Sequence, residues 1–414
     1  MGQQISPTKT TGLYATYSLG LFSGGQWDMM GIIIPLFSVF VGLNPSEIGL
    51  VVAARSALPV LFSIHGGILM DRLGVPFVGF WVGLAAAAMP LFYPFTGWFW
   101  GLVVLQLLSG LIITLAMASG QTVINQLSKG DPAILGKYSF VTRLGNFFGP
   151  FIIGLIWHNF GNEPTFITIS LWGVLTVVSV LFLPSETKTK EGGKIYCSDL
   201  LPRRSEYATA LSLAAIPSII FVLLLTAFRN CPGAIQASFF VVYLHQNGIS
   251  GTTIGFLTGL SEVFVGIGGL TAGWFAARGK VYWIVILFVA SAILLICLTP
   301  LIAGFMSLLI IATALRGFAQ GVNQPLIFSI LSRAIHENQQ GAAVGLRNTV
   351  NRFSNIIVPI GMGFIAEWWG IEESFTVIAV LFIGACLVVA VRIRHFGFLA
   401  GEETCTGPKV DKKK

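Results

Sequence analysis

Eight ionisable side chains stand inside long apolar stretches of this 414-residue chain: Asp28, Arg55, Arg143, Arg229, Glu262, Arg316, Arg347 and Arg352. A charge at the lipid-facing centre of a membrane helix costs at least about 2.5–3.5 kcal/mol, so each should face water, a partner or a ligand. Two carboxylates cannot neutralise six guanidiniums. An anionic or zwitterionic solute would offset part of the excess, because a guanidinium grips a carboxylate or phosphate through two parallel hydrogen bonds. Arg143 and Arg352, deep in their stretches, are the first candidates for substrate contact, followed by Arg229 and Arg316. Polar residues follow them at helical spacing. Gln320 and Asn323 lie four and seven residues after Arg316, Gln236 lies seven after Arg229, and Asn355 shares a stripe with Asn348 and Arg352.

The two acids, Asp28 and Glu262, are the candidates for proton coupling. A buried carboxyl that pairs alternately with an arginine and with a proton links solute occupancy to proton occupancy. The competing reading makes each acid half of a static ion pair between helices. Arg347, close to a helix end, is expected to pair with Asp71, and Arg55 to belong to a structural ion pair. Trp27, Phe147, Phe239, Phe240 and Phe353 either hold an apolar part of the solute or pack the core. A break is expected in the seventh helix at Cys231, Pro232 and Gly233.

Enzyme chemistry finds no support. The five cysteines show no metal-ligand spacing, the five histidines are scattered, and there is no phosphate loop and no Ser/His/Asp arrangement. No cofactor or metal is expected, and nothing resembles an appended signalling domain.

The elements that must position these groups are membrane helices. The chain is 55% hydrophobic and 10% charged, against roughly a quarter charged for an ordinary soluble domain. A span needs about 20 apolar residues, and twelve such stretches are predicted: 14–41, 46–70, 76–95, 98–127, 137–160, 165–183, 208–244, 251–277, 281–303, 305–332, 340–367 and 374–394. The polar stretch 184–206 divides them six and six. The expected organisation is an N-terminal bundle at 1–183, a cytoplasmic linker at 184–206, a C-terminal bundle at 207–395 and a tail at 396–414. The net charge of +7 is not a nucleic-acid footprint, because the basic residues outside the spans sit at the termini and in alternate loops, while Glu47, Glu163, Glu367, Glu372 and Glu373 mark the others. By the positive-inside rule both termini and the linker are cytoplasmic.

The halves repeat one another. RLGNFFGPFIIG from Arg143 matches RFSNIIVPIGMG from Arg352, pairing Asn146 with Asn355, Pro150 with Pro359 and Gly154 with Gly363, and on to Gly161 with Gly370 and Phe166 with Phe375. Gly49 and Gly255, Gly67 and Gly273, and Arg72 and Arg278 match more weakly. Repeated bundles of this kind place a solute site at their interface near the midplane.

Particular motifs then point to a family. GILMDRLG, from Gly67 through Asp71 and Arg72 to Gly74, resembles the GxLxDRxGR loop of the major facilitator superfamily, without its trailing basic residues; GWFAARGK from Gly273 is a degenerate copy. GNFFGPFIIG, with Gly145, Gly149, Pro150 and Gly154, is similar to the GxxxGPxxGG motif of the family's antiporters, and RGFAQG from Arg316 weakly resembles its RxxQG motif. The resemblance implies an all-α membrane protein of twelve helices in two pseudo-symmetric six-helix bundles. Helices 3, 6, 9 and 12 would stand outside, and none of them carries an intramembrane charge. It further implies that Gly67, Asp71, Arg72, Gly74 and Arg347 latch the cytoplasmic side, while Gly145, Gly149 and Pro150 shape helix 5. The expectation is a monomeric, multi-pass transporter of the cytoplasmic membrane whose partners are a small anionic solute, protons and the lipid bilayer. Proton-coupled efflux is set first, with an organic-anion importer of the same fold and a non-transporting receptor as alternatives.

Overall fold

The computed structural model of the protein describes residues 7–128, 131–183, 217–333 and 340–396. The linker expected at 184–206 and the tail beyond 396 lie outside them. Twelve main helices fill the described residues, and no strand is found among them. In the first bundle these are α1 (Pro7–Phe40), α2 (Pro45–Leu73), α3 (Val75–Ala88, continued by a 3-10 stretch to Phe95), α4 (Phe99–Ser128), α5 (Pro132–Phe160) and α6 (Asn162–Leu181). In the second, α7 runs from Pro217–Ile235 through a π-helical turn, Gln236–Phe240, into Val241–Gln246. It is followed by α8 (Gly251–Ala276), α9 (Val281–Cys297, with a further short turn at Thr299–Ile302), α10 (Met306–Arg333), α11 (Gln340–Trp369) and α12 (Ile371–Phe396).

Among the described residues, seven helices are long and apolar enough, by length and composition, to cross a membrane: α2, α3, α4, α5, α6, α8 and α12. Of the rest, α9 is apolar but only 17 residues long. The others, α1, α7, α10 and α11, carry Asp28, Arg229, Arg316 and Arg352 in their middles. α2, α5 and α8 carry Arg55, Arg143 and Glu262 as well, and charge within a span is tolerated where it faces the interior. The expected break in α7 is corrected. Its helix runs straight through Cys231, Pro232 and Gly233, and the irregularity comes as the π turn that follows. Pro232 can neither donate to the preceding turn nor fit under it, and a widened turn is one way to absorb the mismatch.

Apolar faces of α3, α6, α9 and α12 lie bare, as Trp81, Leu171, Leu287 and Leu387 illustrate. In water such a surface would aggregate; against lipid it is the required finish.

The repeat read from the chain is visible in space. Gly161 and Gly370 both close a helix with positive φ, +79° and +105°, and their N–H groups bond back to Trp157 and Ala366. Phe166 and Phe375, five residues further on, are both fully buried. The bundles meet along two equivalent crossings, α5 with α8 and α2 with α11. A methyl added to Gly255 would meet the Pro150 carbonyl at 2.2 Å, and one added to Gly49 would meet the matching Pro359 carbonyl at 2.4 Å. Gly154 against Gly251 and Gly363 against Pro45 repeat the pattern. Only glycine allows backbones this close. All of these approaches lie toward the end bearing the α1–α2, α5–α6, α7–α8 and α11–α12 connections, where the Ser46 N–H also donates to the Glu367 carboxylate at 3.3 Å. That end of the molecule is sealed.

Candidate functional site

A cavity of about 390 Å³ lies between the bundles, walled by α1, α2, α4, α5, α7, α8, α10 and α11. Of the candidates taken from the sequence, Asp28, Arg143, Arg229, Gln236, Glu262, Gln320 and Asn355 line it. Asp28 reaches the wall because Gly24 and Gly25 seat α1 against α5. A methyl at Gly25 would meet the Gly145 carbonyl at 2.8 Å, and one at Gly149 the Gly25 carbonyl at 2.9 Å. The glycines of the helix 5 motif therefore act inside the first bundle, holding α1 in place, while Pro150 and Gly154 face the second bundle.

One ion pair joins side chains among the described residues: Arg143 of α5 with Glu262 of α8. It bridges the two bundles, and both side chains remain partly accessible. Asp28 makes no such pair. Its Oδ2 is buried without a hydrogen-bond partner, and Glu262, Arg55 and Arg143 are the charges that act on it through space.

Among the described residues, the remaining intramembrane arginines pair with no acid. Arg229 donates to Gln324 Oε1 at 3.1 Å, and its Nε is buried without an acceptor. Arg55 donates to the Trp27 carbonyl and stacks on the indole at 3.5 Å from the ring centre. Arg352 lies 4.6 Å from the same ring, without a hydrogen-bond or ion-pair partner among the described residues. Such stacking supplies roughly 0.5–2 kcal/mol and leaves the N–H edges of a guanidinium free to donate. The positive side of the site can therefore accept an anion without first breaking an ion pair.

Three candidates are not on the wall. Arg352 is one of them, and its link to the cavity is the Trp27 ring, which lines it. Arg316 is 1% exposed and Asn323 is fully buried, and neither borders the cavity. The reason is the tight seam between α8 and α10, where a methyl on Gly317 would meet the Ser261 carbonyl at 2.3 Å. The seam turns this stretch of α10 inward, and Arg316 comes to lie 5.5 Å from the Phe240 ring in the π turn. Of the five aromatics considered, only Trp27 lines the cavity. Phe353 is more than half exposed on the outer face of α11, Phe239 and Phe240 are core, and Phe147 packs at the crossing beside Gly259.

Arg347 stacks on Phe328 at 3.6 Å, with its Nη1 buried and unpartnered. Its expected partner, the side chain of Asp71, lies outside the described residues, as do the side chain of Arg72 and the surroundings of Gly67. The backbone of that motif is described. There α2 ends at Leu73, and Gly74 turns the chain with φ +87° while its N–H bonds to the Met70 carbonyl. Only a glycine adopts that conformation without strain.

Several site residues escaped the sequence reading. Asn230 ties α7 to α11 through the Asn351 carbonyl at 2.8 Å and Asn355 Oδ1 at 2.6 Å. Gln324 holds Arg229, and Ser56 joins the wall beside Asn146, which the sequence showed only as a repeat position. The signal for Asn230 and Gln324 was adjacency to Arg229 and Asn323, since a second polar residue beside an intramembrane one rarely faces lipid.

The family model of the Major Facilitator Superfamily matches residues 16–244 and 222–397, covering both bundles. The chain belongs to the major facilitator superfamily. A Bacillus subtilis relative named as an uncharacterised MFS-type transporter, YuxJ, is 24% identical over 381 residues, covering 86% of this chain and 93% of its own length. The class H tetracycline resistance protein of Pasteurella multocida is 24% identical over 354 residues, covering 82% of this chain and 86% of its own. Among solved structures, a mutant form of the nucleoside transporter NupG superposes with a TM-score of 0.77 at 14% identity, over 92% of this chain and 98% of that one. At that identity the likeness shows the fold. The protein is thus a multi-pass membrane transporter of the superfamily and not an enzyme.

Proposed function

We propose that the protein is a proton-coupled secondary transporter that exports a small anionic or zwitterionic solute by rocking of its two bundles about the central cavity. The observation that carries this reading is the composition of the cavity wall together with Arg352, which stacks on the wall residue Trp27. Arg143 is already neutralised by Glu262, whereas Arg229 and Arg352 have no acid partner among the described residues. A neutral or cationic solute would leave those charges uncompensated at depth, while an anion offsets them.

Asp28 and Glu262, the two acids of the wall, are the groups that would carry the proton. Glu262 is the better placed, because releasing Arg143 both frees the carboxylate to take a proton and undoes a bridge between the bundles. An event at one residue thereby bears on both binding and closure.

Export is favoured by the helix 5 motif and by a relative named for tetracycline resistance. By the charge-derived topology, the sealed end is the outer one. In that orientation the cytoplasmic side is the one from which an exported solute would enter.

Accumulation in inside-out and right-side-out vesicles tests the reading. Under an imposed pH gradient, the exporter concentrates an organic anion inside inside-out vesicles. Concentration in right-side-out vesicles instead makes it an importer, and the absence of any anion movement removes the proposal.

A further inference from the structure

The two bundle crossings are equivalent in backbone but not in charge. At the α5–α8 crossing, Arg143 stands seven residues before Pro150 and Glu262 seven residues after Gly255, and the two form the bridging ion pair. At the α2–α11 crossing, Arg352 stands seven residues before Pro359, and the position seven residues after Gly49 is Ser56. The arginine is repeated and the acid is not. Ser56 is buried on the cavity wall, next to Arg55, so this crossing holds two guanidiniums against one indole. Both guanidiniums lie against that ring, so two like charges are held close together. Asp28 acts on Arg55 from a distance without pairing with it, and nothing among the described residues pairs with Arg352.

We propose that the solute's anionic group takes the place of the missing acid. It lies in the register of Ser56, between Arg55 of the first bundle and Arg352 of the second, with Trp27 as the floor. This rests on the reading of the solute as an anion and goes beyond it by fixing where the charge sits.

Three consequences follow from the placement. The anion completes a second bridge between the bundles, matching the one that Arg143 and Glu262 already make. Its binding relieves the Arg55–Arg352 repulsion, so the free energy gained is largest when both bundles contribute, which ties occupancy to their relative position. Trp27 becomes a specificity determinant. Its ring keeps the two guanidiniums in place through their faces while their N–H edges receive the ligand, and it offers the solute an apolar contact beside the charge.

The test uses purified full-length protein in detergent, with Ser56→Asp compared against Ser56→Asn. The two side chains share a shape and differ in charge. Benzoate is the anionic probe, benzamide its neutral counterpart, and inorganic phosphate a second anion; thermal midpoint and tryptophan fluorescence are the readouts. Without ligand, Ser56→Asp should melt above Ser56→Asn, and that difference should vanish in an Arg352→Gln background. Benzoate should stabilise the wild-type protein where benzamide does not, and its apparent affinity should be about tenfold or more lower in Ser56→Asp than in Ser56→Asn, since one ion pair is exchanged for another. If benzoate acts equally on the two variants, this placement is wrong while the anionic reading stands. If neither benzoate nor phosphate affects the wild-type protein in either readout, both fall together.

Discussion

Replacing Gly255 by alanine puts a methyl carbon 2.2 Å from the Pro150 carbonyl oxygen, and the matching change at Gly49 puts one 2.4 Å from that of Pro359. Ordinary contact begins near 3.4 Å, so the facing backbones must part by about 1 Å, and a carbonyl within a helix cannot turn aside as a side-chain tip can. Overpacking of this kind costs about 1–3 kcal/mol. In alternating access that penalty falls on the sealed conformation alone, because the other conformation separates these helices. The balance should therefore move toward the form open at this end by roughly 5- to 150-fold. Spin labels at Asn159 and Gln246, both exposed at the sealed end and one in each bundle, report the change as a longer interbundle distance. Gly266→Ala, on α8 but with nothing within 4 Å of the new methyl, is the control and should leave the distribution alone. Unchanged distances in both crossing variants, with a drop in melting temperature instead, would refute the reasoning, since the crossings would then be permanent seams.

Glu262→Gln or Asp28→Asn, whichever removes the coupling acid, should leave solute exchange intact and abolish concentration against a gradient; unchanged concentration and pH dependence in both would exclude these acids from coupling. Asn230→Leu removes two hydrogen bonds between α7 and α11 and leaves the Asn351 carbonyl without that donor, so it should lower stability by about 1–3 kcal/mol in thermal unfolding; a shift under about 0.3 kcal/mol would show that water replaces the contact. A cysteine at Lys190 should resist an impermeant thiol reagent in intact cells while one at Glu163 reacts, and the reverse pattern would invert the topology.

The fold was legible because the bilayer restricts the choices. Apolar stretches of the right length must be helices, charge placement orients them, and the recurrence of Arg, Asn, Pro and Gly in α5 and α11 exposed the duplication. The site was legible as a set of residues, because intramembrane charge is too costly to be incidental. Which charges meet was not, and the reason is rotational position. Helical spacing puts Arg316, Gln320 and Asn323 on one stripe, but the Gly317–Ser261 seam sends Arg316 and Asn323 into the packed interior and leaves Gln320 on the wall. The partner of Glu262 lies 119 residues away in another bundle, a separation that no local pattern encodes. Arg55 was read as half of an ion pair because an acid was the expected neighbour, whereas its guanidinium is held by an indole face and a backbone carbonyl. The π turn of α7 is similarly invisible, since Pro232 marks a helix under strain without marking where the strain is released.

The central claim is that this cavity carries an anion across the bilayer at the expense of a proton gradient. Proteoliposomes of the purified protein, loaded with a mixture of small metabolites and given a pH jump, test it most directly when their contents are followed by mass spectrometry. The account predicts that one or a few anionic compounds move against their gradients with wild-type protein. Those same compounds should only equilibrate with Glu262→Gln and should fail to move with Arg352→Gln. Movement confined to neutral or cationic compounds, or anion movement indifferent to the pH gradient, would contradict it.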